Sequence, residues 1–290
     1  MATKSPAPDK GLGVESIVSD LIKLSSPATR EFWEIPVLFA DPHLLALDKP
    51  AGLPVSPDRA QPERPCLMRL LHDAIAARKP WVLERELNYL SHAHRLEADA
   101  SGVLLLARSK PVLVTLANLF GSRQPVRSFI ALVQGSPAED QFQVNARLAT
   151  QLDAGGVLRV DARHGKRAET RCTVLERFAR HTLLRCEPLT DRPHQLRAHL
   201  FNSGLRLIGD AVYGGKPLWL SRLKPGYRLK PGREERPLLA RPALHAEQIS
   251  LPHPVTGEPL TFTAPWPKDL RVAVKYLREY NGAPPPAPSR

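Results

Sequence analysis

Short strand-like runs closed by turn residues dominate this chain and constrain its fold more than any other feature. Alternating or continuous apolar segments occur at residues 37–46, 103–107, 128–133, 144–152, 157–161, 168–177, 181–187, 243–251 and 259–263. The last two flank the turn sequence HPVTGEP. Consecutive strands with short links favour antiparallel pairing. Three segments switch to a helical period instead. Residues 64–78 carry Leu67, Leu70, Leu71 and Ile75 on one face; residues 109–120 open on Ser109 with Pro111 in the first turn and stop at Gly121. Residues 192–203 set Leu196 and Leu200 four apart and end at Gly204. The expected class is α+β, a mixed or antiparallel sheet flanked by helices.

Charge narrows the partner. Lys and Arg outnumber Asp and Glu by 41 to 29, leaving +12 over 290 residues, and such a surface draws in densely negative partners, nucleic acid first. Cys66, Cys172 and Cys186 lack CxxC spacing, and the pairs His92/His94 and His194/His199 lack the i, i+4 spacing of helical zinc ligands, so no metal is expected. No GxGxxG, phosphate-loop or GxSxG pattern occurs, which removes support for nucleotide-cofactor and serine-hydrolase chemistry. No apolar stretch is long enough to span a bilayer. The expectation is a cytoplasmic monomer with no membrane anchor.

Residues 1–35 read as a lead-in, partly disordered, with one amphipathic run at 14–24. Residues 36–275 form the main domain, and the stretch 276–290, with four prolines in its last ten residues, forms a tail. Within the domain, RLKPG repeats at 222–226 and 228–232. The two Pro-Gly pairs make residues 221–241 a loop. From Arg222 to Arg241 seven Lys or Arg face only Glu234 and Glu235, which suits either a phosphate-tracking arm using Lys224, Arg228 and Lys230 or a solvated basic loop.

Four segments in order carry a resemblance: LLALDKPAGLPV at 44–55, HRLEADASGVLLLA at 94–107, TDRPHQLRAHL at 190–200 followed by GDAVYG at 209–214, and LARPALHA at 239–246 before the HPVTGEP turn. Together they resemble the RluA-type RNA pseudouridine synthases across about residues 36–275. The resemblance implies the pseudouridine synthase catalytic fold and an isomerase that turns uridine into pseudouridine in structured RNA, ribosomal or transfer, without cofactor or metal. Such chemistry requires one placed carboxylate in a pocket that excludes water and holds a flipped base.

By the same resemblance Glu97 stands where the family has its catalytic Asp, one methylene longer. A misplacement of about 1 Å can cost on the order of 100-fold in rate. Phe129 in RSFIALV matches the active-site Tyr, keeping a stacking face and losing the hydroxyl. Arg192 matches the base that pairs with the carboxylate, Arg95 the residue that fills the space left by the flipped nucleotide, and Leu196 an apolar contact to the base. Lys49 belongs to the Lys-Pro-x-Gly motif and is expected at the substrate. Ala98, Ala100 and Asp191 also depart from the pattern. Two readings follow: a synthase retuned to Glu97, or a catalytically impaired RNA-binding paralogue.

Overall fold

The computed structural model describes residues 21–58 and 61–282. The strands are β1 (Leu21–Ser26), β2 (Glu31–Ala40), β3 (Leu44–Lys49), β4 (Ser91–His92), β5 (Ser101–Ala107), β6 (Val126–Gln134), β7 (Gln141–Asn145), β8 (Glu169–Arg177), β9 (His181–Pro188), β10 (Arg206–Leu207), β11 (Leu244–Pro252) and β12 (Pro259–Thr263). They form one sheet in the order β1-β2-β3-β5-β11-β6-β9-β8-β7, with β4, β10 and β12 pairing beside this path. Every pairing is antiparallel except β5 with β11. The helices are α1 (Leu67–Ala76), α2 (Pro80–Glu84), α3 (Lys110–Gly121), α4 (Gln195–Asn202) and α5 (Lys268–Tyr280).

Central β3 and β5 are continuous apolar runs because both sheet faces are covered. Leu45, Leu47, Leu104 and Leu106 enter the main core with Leu67 and Leu71 of α1 and with Leu270, Ala273, Val274 and Leu277 of α5. The alternate residues, Leu44, Ala46, Val103, Leu105 and Ala107, pack on the other face with Val112 and Leu116 of α3. The strand period of two thus divides one run between two cores. Ser109 caps α3 by accepting from the Val112 amide.

The single parallel contact sets the centre of the molecule. His245 pairs with Ser101 and Ala246 with Gly102. A Cβ on Gly102 would lie 2.1 Å from the Ala246 carbonyl oxygen, and its φ is +113°. Only glycine lets β5 begin against β11, and residue 97 lies just upstream.

The fold extends beyond the expected domain at both ends. Residues 21–26 and 31–35 are paired strand joined by a turn, and Ile22, Leu24 and Ile35 are core residues. The helix α5 carries the chain past 275, with Leu277 fully buried. The earlier part of the lead-in and the end of the Pro-rich tail lie outside the described residues. The strand expected at 157–161 is instead part of an irregular arm between β7 and β8, whose own segments meet through isolated bridges from Leu148 to Val160 and Lys166.

Candidate active site

Four anchors fix the segment preceding β5. The His94 ring is buried, accepts the Leu105 amide at Nε2 (2.9 Å) and stacks on Phe120 at 5.0 Å. The Ala98 carbonyl accepts from the Gly52 amide (2.8 Å) and from Lys49 Nζ (3.1 Å). Arg241 donates to the Asp99 carbonyl while its guanidinium grips Asp269. The Ala100 amide closes a turn on the Glu97 carbonyl (3.1 Å). Within this frame Leu96 turns inward and Arg95 outward, leaving the Glu97 side chain 30% exposed.

Lys49 has a structural task. Its side chain is 0% exposed, and its three protons go to the carbonyls of Pro50 (2.8 Å), Leu53 (2.9 Å) and Ala98. Burial draws its pKa down to about 7 against the pull of Asp99. This corrects the expected substrate-binding role: Lys49 clamps the turn of its own motif to the Glu97 segment.

The base on Glu97 is Arg197, not Arg192. Arg197 Nη1 donates to Glu97 Oε2 at 2.7 Å. Its Nε and Nη2 donate to the two oxygens of Asp210 at 2.7 and 2.5 Å. The Arg197 side chain is 7% exposed and that of Asp210 0%. Burial works against the Arg197 charge, but the bonds from Asp210 and the field of Glu97 overcome it and raise the pKa above the ordinary arginine value. The result is a permanently charged guanidinium under the carboxylate. Arg192 lies outside this network, donating to the carbonyls of Arg167 and Asp191.

The start of α4 aims Arg197. Thr190 Oγ1 donates to Gln195 Oε1 (2.8 Å), and Gln195 Nε2 reaches the Glu169 carbonyl (2.8 Å) and Thr170 Oγ1 (3.1 Å). His199 is also tied down, to Thr170 Oγ1 and the Ala146 carbonyl. His194 occupies the left-handed region at φ 50°. Its Nδ1 lies 3.2 Å from Tyr213 Oη, which accepts the Leu158 amide at 2.8 Å, and Tyr213 packs under the Arg197 guanidinium at 4.9 Å. The GDAVYG segment therefore supplies Asp210 and Tyr213 to one cluster. The residues that sequence reasoning missed are Arg197, Asp210, His194 and Tyr213; all stood within segments already singled out.

Of the remaining expected residues, Phe129 on β6 is 9% exposed and shares the main apolar core with Leu96, Ala100 and Leu196. Arg95 is exposed, with no hydrogen bond or ion pair among the described residues. In the basic loop, Lys224 Nζ lies 5.5 Å from the Tyr280 ring at the end of α5. There Arg278 and Asn281 meet Glu176 and His181, beside the β8–β9 turn and at the opposite end of that hairpin from α4. Arg228 and Lys230 are exposed. The loop thus does not converge on Glu97 at Lys224. Among the described residues no group of three or more His, Cys, Asp or Glu could hold a metal ion, and no helix is long and apolar enough to cross a membrane.

The anchor His94 predicts a pH dependence. Burial lowers its pKa from 6.5 to about 3, with Arg127 and His92 adding to the effect. The unfolded chain therefore binds the proton first, and stability falls as pH drops from about 6.5 towards 3, by at most about 1.4 kcal/mol per pH unit from this residue. Urea midpoints of the parent should fall between pH 7 and 5 by more than those of His94→Gln; equal slopes would contradict the assignment.

A partly exposed carboxylate held beside a buried cation can attack a sugar or base that enters from solvent. Residues 43–202 match the family described as RNA pseudouridylate synthase. The chain is 34% identical over 249 residues to the ribosomal large subunit pseudouridine synthase D of Xanthomonas campestris pv. campestris, covering 84% of this chain and 69% of that protein. It is 32% identical over 244 residues to the ribosomal large subunit pseudouridine synthase C of Salmonella typhi, covering 83% and 70%. The structure of human RNA pseudouridylate synthase domain containing 4 shares the fold, with a TM-score of 0.62 at 23% identity over 83% of this chain and 92% of that one. With its central 160 residues (43–202) matched to that family and such relatives spanning over four fifths of its length, the chain belongs to the RNA pseudouridylate synthases.

Proposed function

We propose that this isomerase acts on uridine in large-subunit ribosomal RNA and that Glu97 is its working carboxylate. The observation that carries the reading is the 2.7 Å contact between Glu97 Oε2 and Arg197, a cation fixed from behind by Asp210. The pair orients Glu97, while Phe129 and Leu196 offer apolar surface to a flipped uracil. Arg95, exposed next to the site, enters the gap that the uridine leaves. The protein works as a monomer in the cytoplasm. The ribosomal assignment follows the names of the relatives, and the +12 charge suits a polyanionic substrate.

The test is conversion in vitro. Unmodified large-subunit ribosomal RNA and bulk transfer RNA, both transcribed with [5-³H]uridine, are incubated with the protein, and tritium release is counted. Release from the ribosomal transcript, at one or a few positions, is expected. Release from transfer RNA alone would replace the substrate. Stable binding of both RNAs with no release from either would favour the RNA-binding paralogue.

A further inference from the structure

We infer that the cavity between the end of α3 and the turn into α4 holds a second base of the substrate RNA, an unpaired neighbour of the target uridine. The inference rests on the synthase reading above and extends it from the reacting uridine to the strand that carries it. Turning a uridine out of its stack strips a face from the bases beside it, and proteins that read single-stranded RNA stack such bases on apolar side chains. A site for one needs flat apolar walls, polar groups at the edge and a cation outside for the phosphate.

The cavity has a volume of about 180 Å³, below the roughly 300 Å³ at which pockets for drug-sized ligands begin, so it takes a base without its sugar and phosphate. Its apolar walls come from Phe120 at the end of α3, Pro125 just before β6, and Pro188 and Leu189 where β9 ends. Phe120 is stacked on the buried His94, with ring centroids 5.0 Å apart, so the ring is fixed before any RNA arrives. Arg127 with Asp191, at 3.2 Å, and Arg171 with Glu187, at 3.5 Å, add paired donors and acceptors to the walls. The two carboxylates repel an anion, whereas the edge of a base offers donors and acceptors side by side. The occupant is therefore a base and not a free phosphate. Arg123, which also lines the cavity just past α3, is exposed, and its side chain has no hydrogen bond or ion pair among the described residues. It is the cation left for the phosphate of that nucleotide.

The walls are continuous with the segments that hold Glu97 and Arg197. Arg127 stands two residues before Phe129 on one face of β6, roughly 7 Å along the strand, and donates to the Thr190 carbonyl. Thr190 Oγ1 in turn donates to Gln195, at the start of the helix that carries Arg197. On the Phe120 side, the stacked His94 lies three residues before Glu97. An RNA strand whose uridine reaches Glu97 between these two segments therefore brings a neighbouring nucleotide to the cavity. Val126, which lines it and is 59% exposed, stands at the opening.

The test is an abasic scan of the shortest large-subunit ribosomal fragment that the protein binds. Each unpaired nucleotide in turn loses its base, and affinity is measured. Besides the target uridine, one position near it should lose about 5- to 150-fold, the span of a single base–aromatic stack. Val126→Trp, which fills the opening, should weaken binding of the intact fragment by a similar factor and show no further loss at that position. Val126→Thr, which leaves the cavity open, should repeat the parent scan. Arg123→Gln should lower the salt slope of binding by about 0.7, one single-strand phosphate contact. A scan without such a position, an equal loss there in the parent and in Val126→Trp, or an unchanged slope in Arg123→Gln overturns the inference. A parent that shows this pattern of affinity yet converts no uridine overturns the synthase reading and leaves the base site standing, so conversion and affinity tell the two failures apart.

Discussion

Arg197→Met should lose about 3 to 5 kcal/mol of folding stability, the cost expected when one partner of a buried ion pair is removed. Asp210 has no access to water and receives both strong hydrogen bonds from Arg197. Methionine fills a similar volume, so the loss comes from the stranded carboxylate rather than from a cavity. Arg197→Met/Asp210→Asn, which removes that charge, should recover most of the stability yet none of the activity, because Glu97 still lacks its cation. Urea denaturation of the three proteins checks this. A loss below about 1 kcal/mol in the single variant would mean that the pair contributes as weakly as a surface salt bridge.

Most of the fold was legible because strand period and turn chemistry are local properties. The runs at 103–107, 128–133, 168–177 and 181–187 became β5, β6, β8 and β9, and the three helical segments became α1, α3 and α4. Residues 21–35 were harder to read, although Ile22, Leu24 and Ser26 alternate inward, because the polar, proline-bearing sequence before them sets the tone of the whole end. The α5 spacing of Leu270, Ala273, Val274 and Leu277 was a readable helical face that the tail boundary at 275 cut through.

The site was legible as a set of segments and less so as a set of partners. Arg192 and Arg197 lie five residues apart in one motif, and composition does not separate them. What does is the turn into α4, which leaves Arg192 half-buried on the carbonyls of Arg167 and Asp191 and sends Arg197 between Glu97 and Asp210. The signal available in sequence was the acid of GDAVYG: a motif carboxylate in an apolar neighbourhood requires a buried base. Lys49 was misread for a similar reason, since nothing local says that a lysine's three protons will be used on backbone carbonyls.

The geometry also alters what the extra methylene of Glu97 implies. Taken alone, a longer side chain suggests a carboxylate carried too far. In the folded protein Arg197 is held from behind by Asp210, so it cannot follow a shorter side chain, and aspartate would draw the carboxylate back by about 1.5 Å, one carbon–carbon bond. A site of this geometry is fitted to glutamate. Single-turnover conversion of the ribosomal transcript by Glu97, Glu97→Asp and Glu97→Gln proteins, each at saturating concentration, measures this directly. The parent should convert its uridine, Glu97→Asp should be slower on the order of 100-fold, and Glu97→Gln should convert none while binding the RNA as well as the parent. Conversion by Glu97→Gln at the parental rate, or none by the parent under conditions where Glu97→Asp is active, would contradict the claim that Glu97 is the carboxylate this enzyme uses.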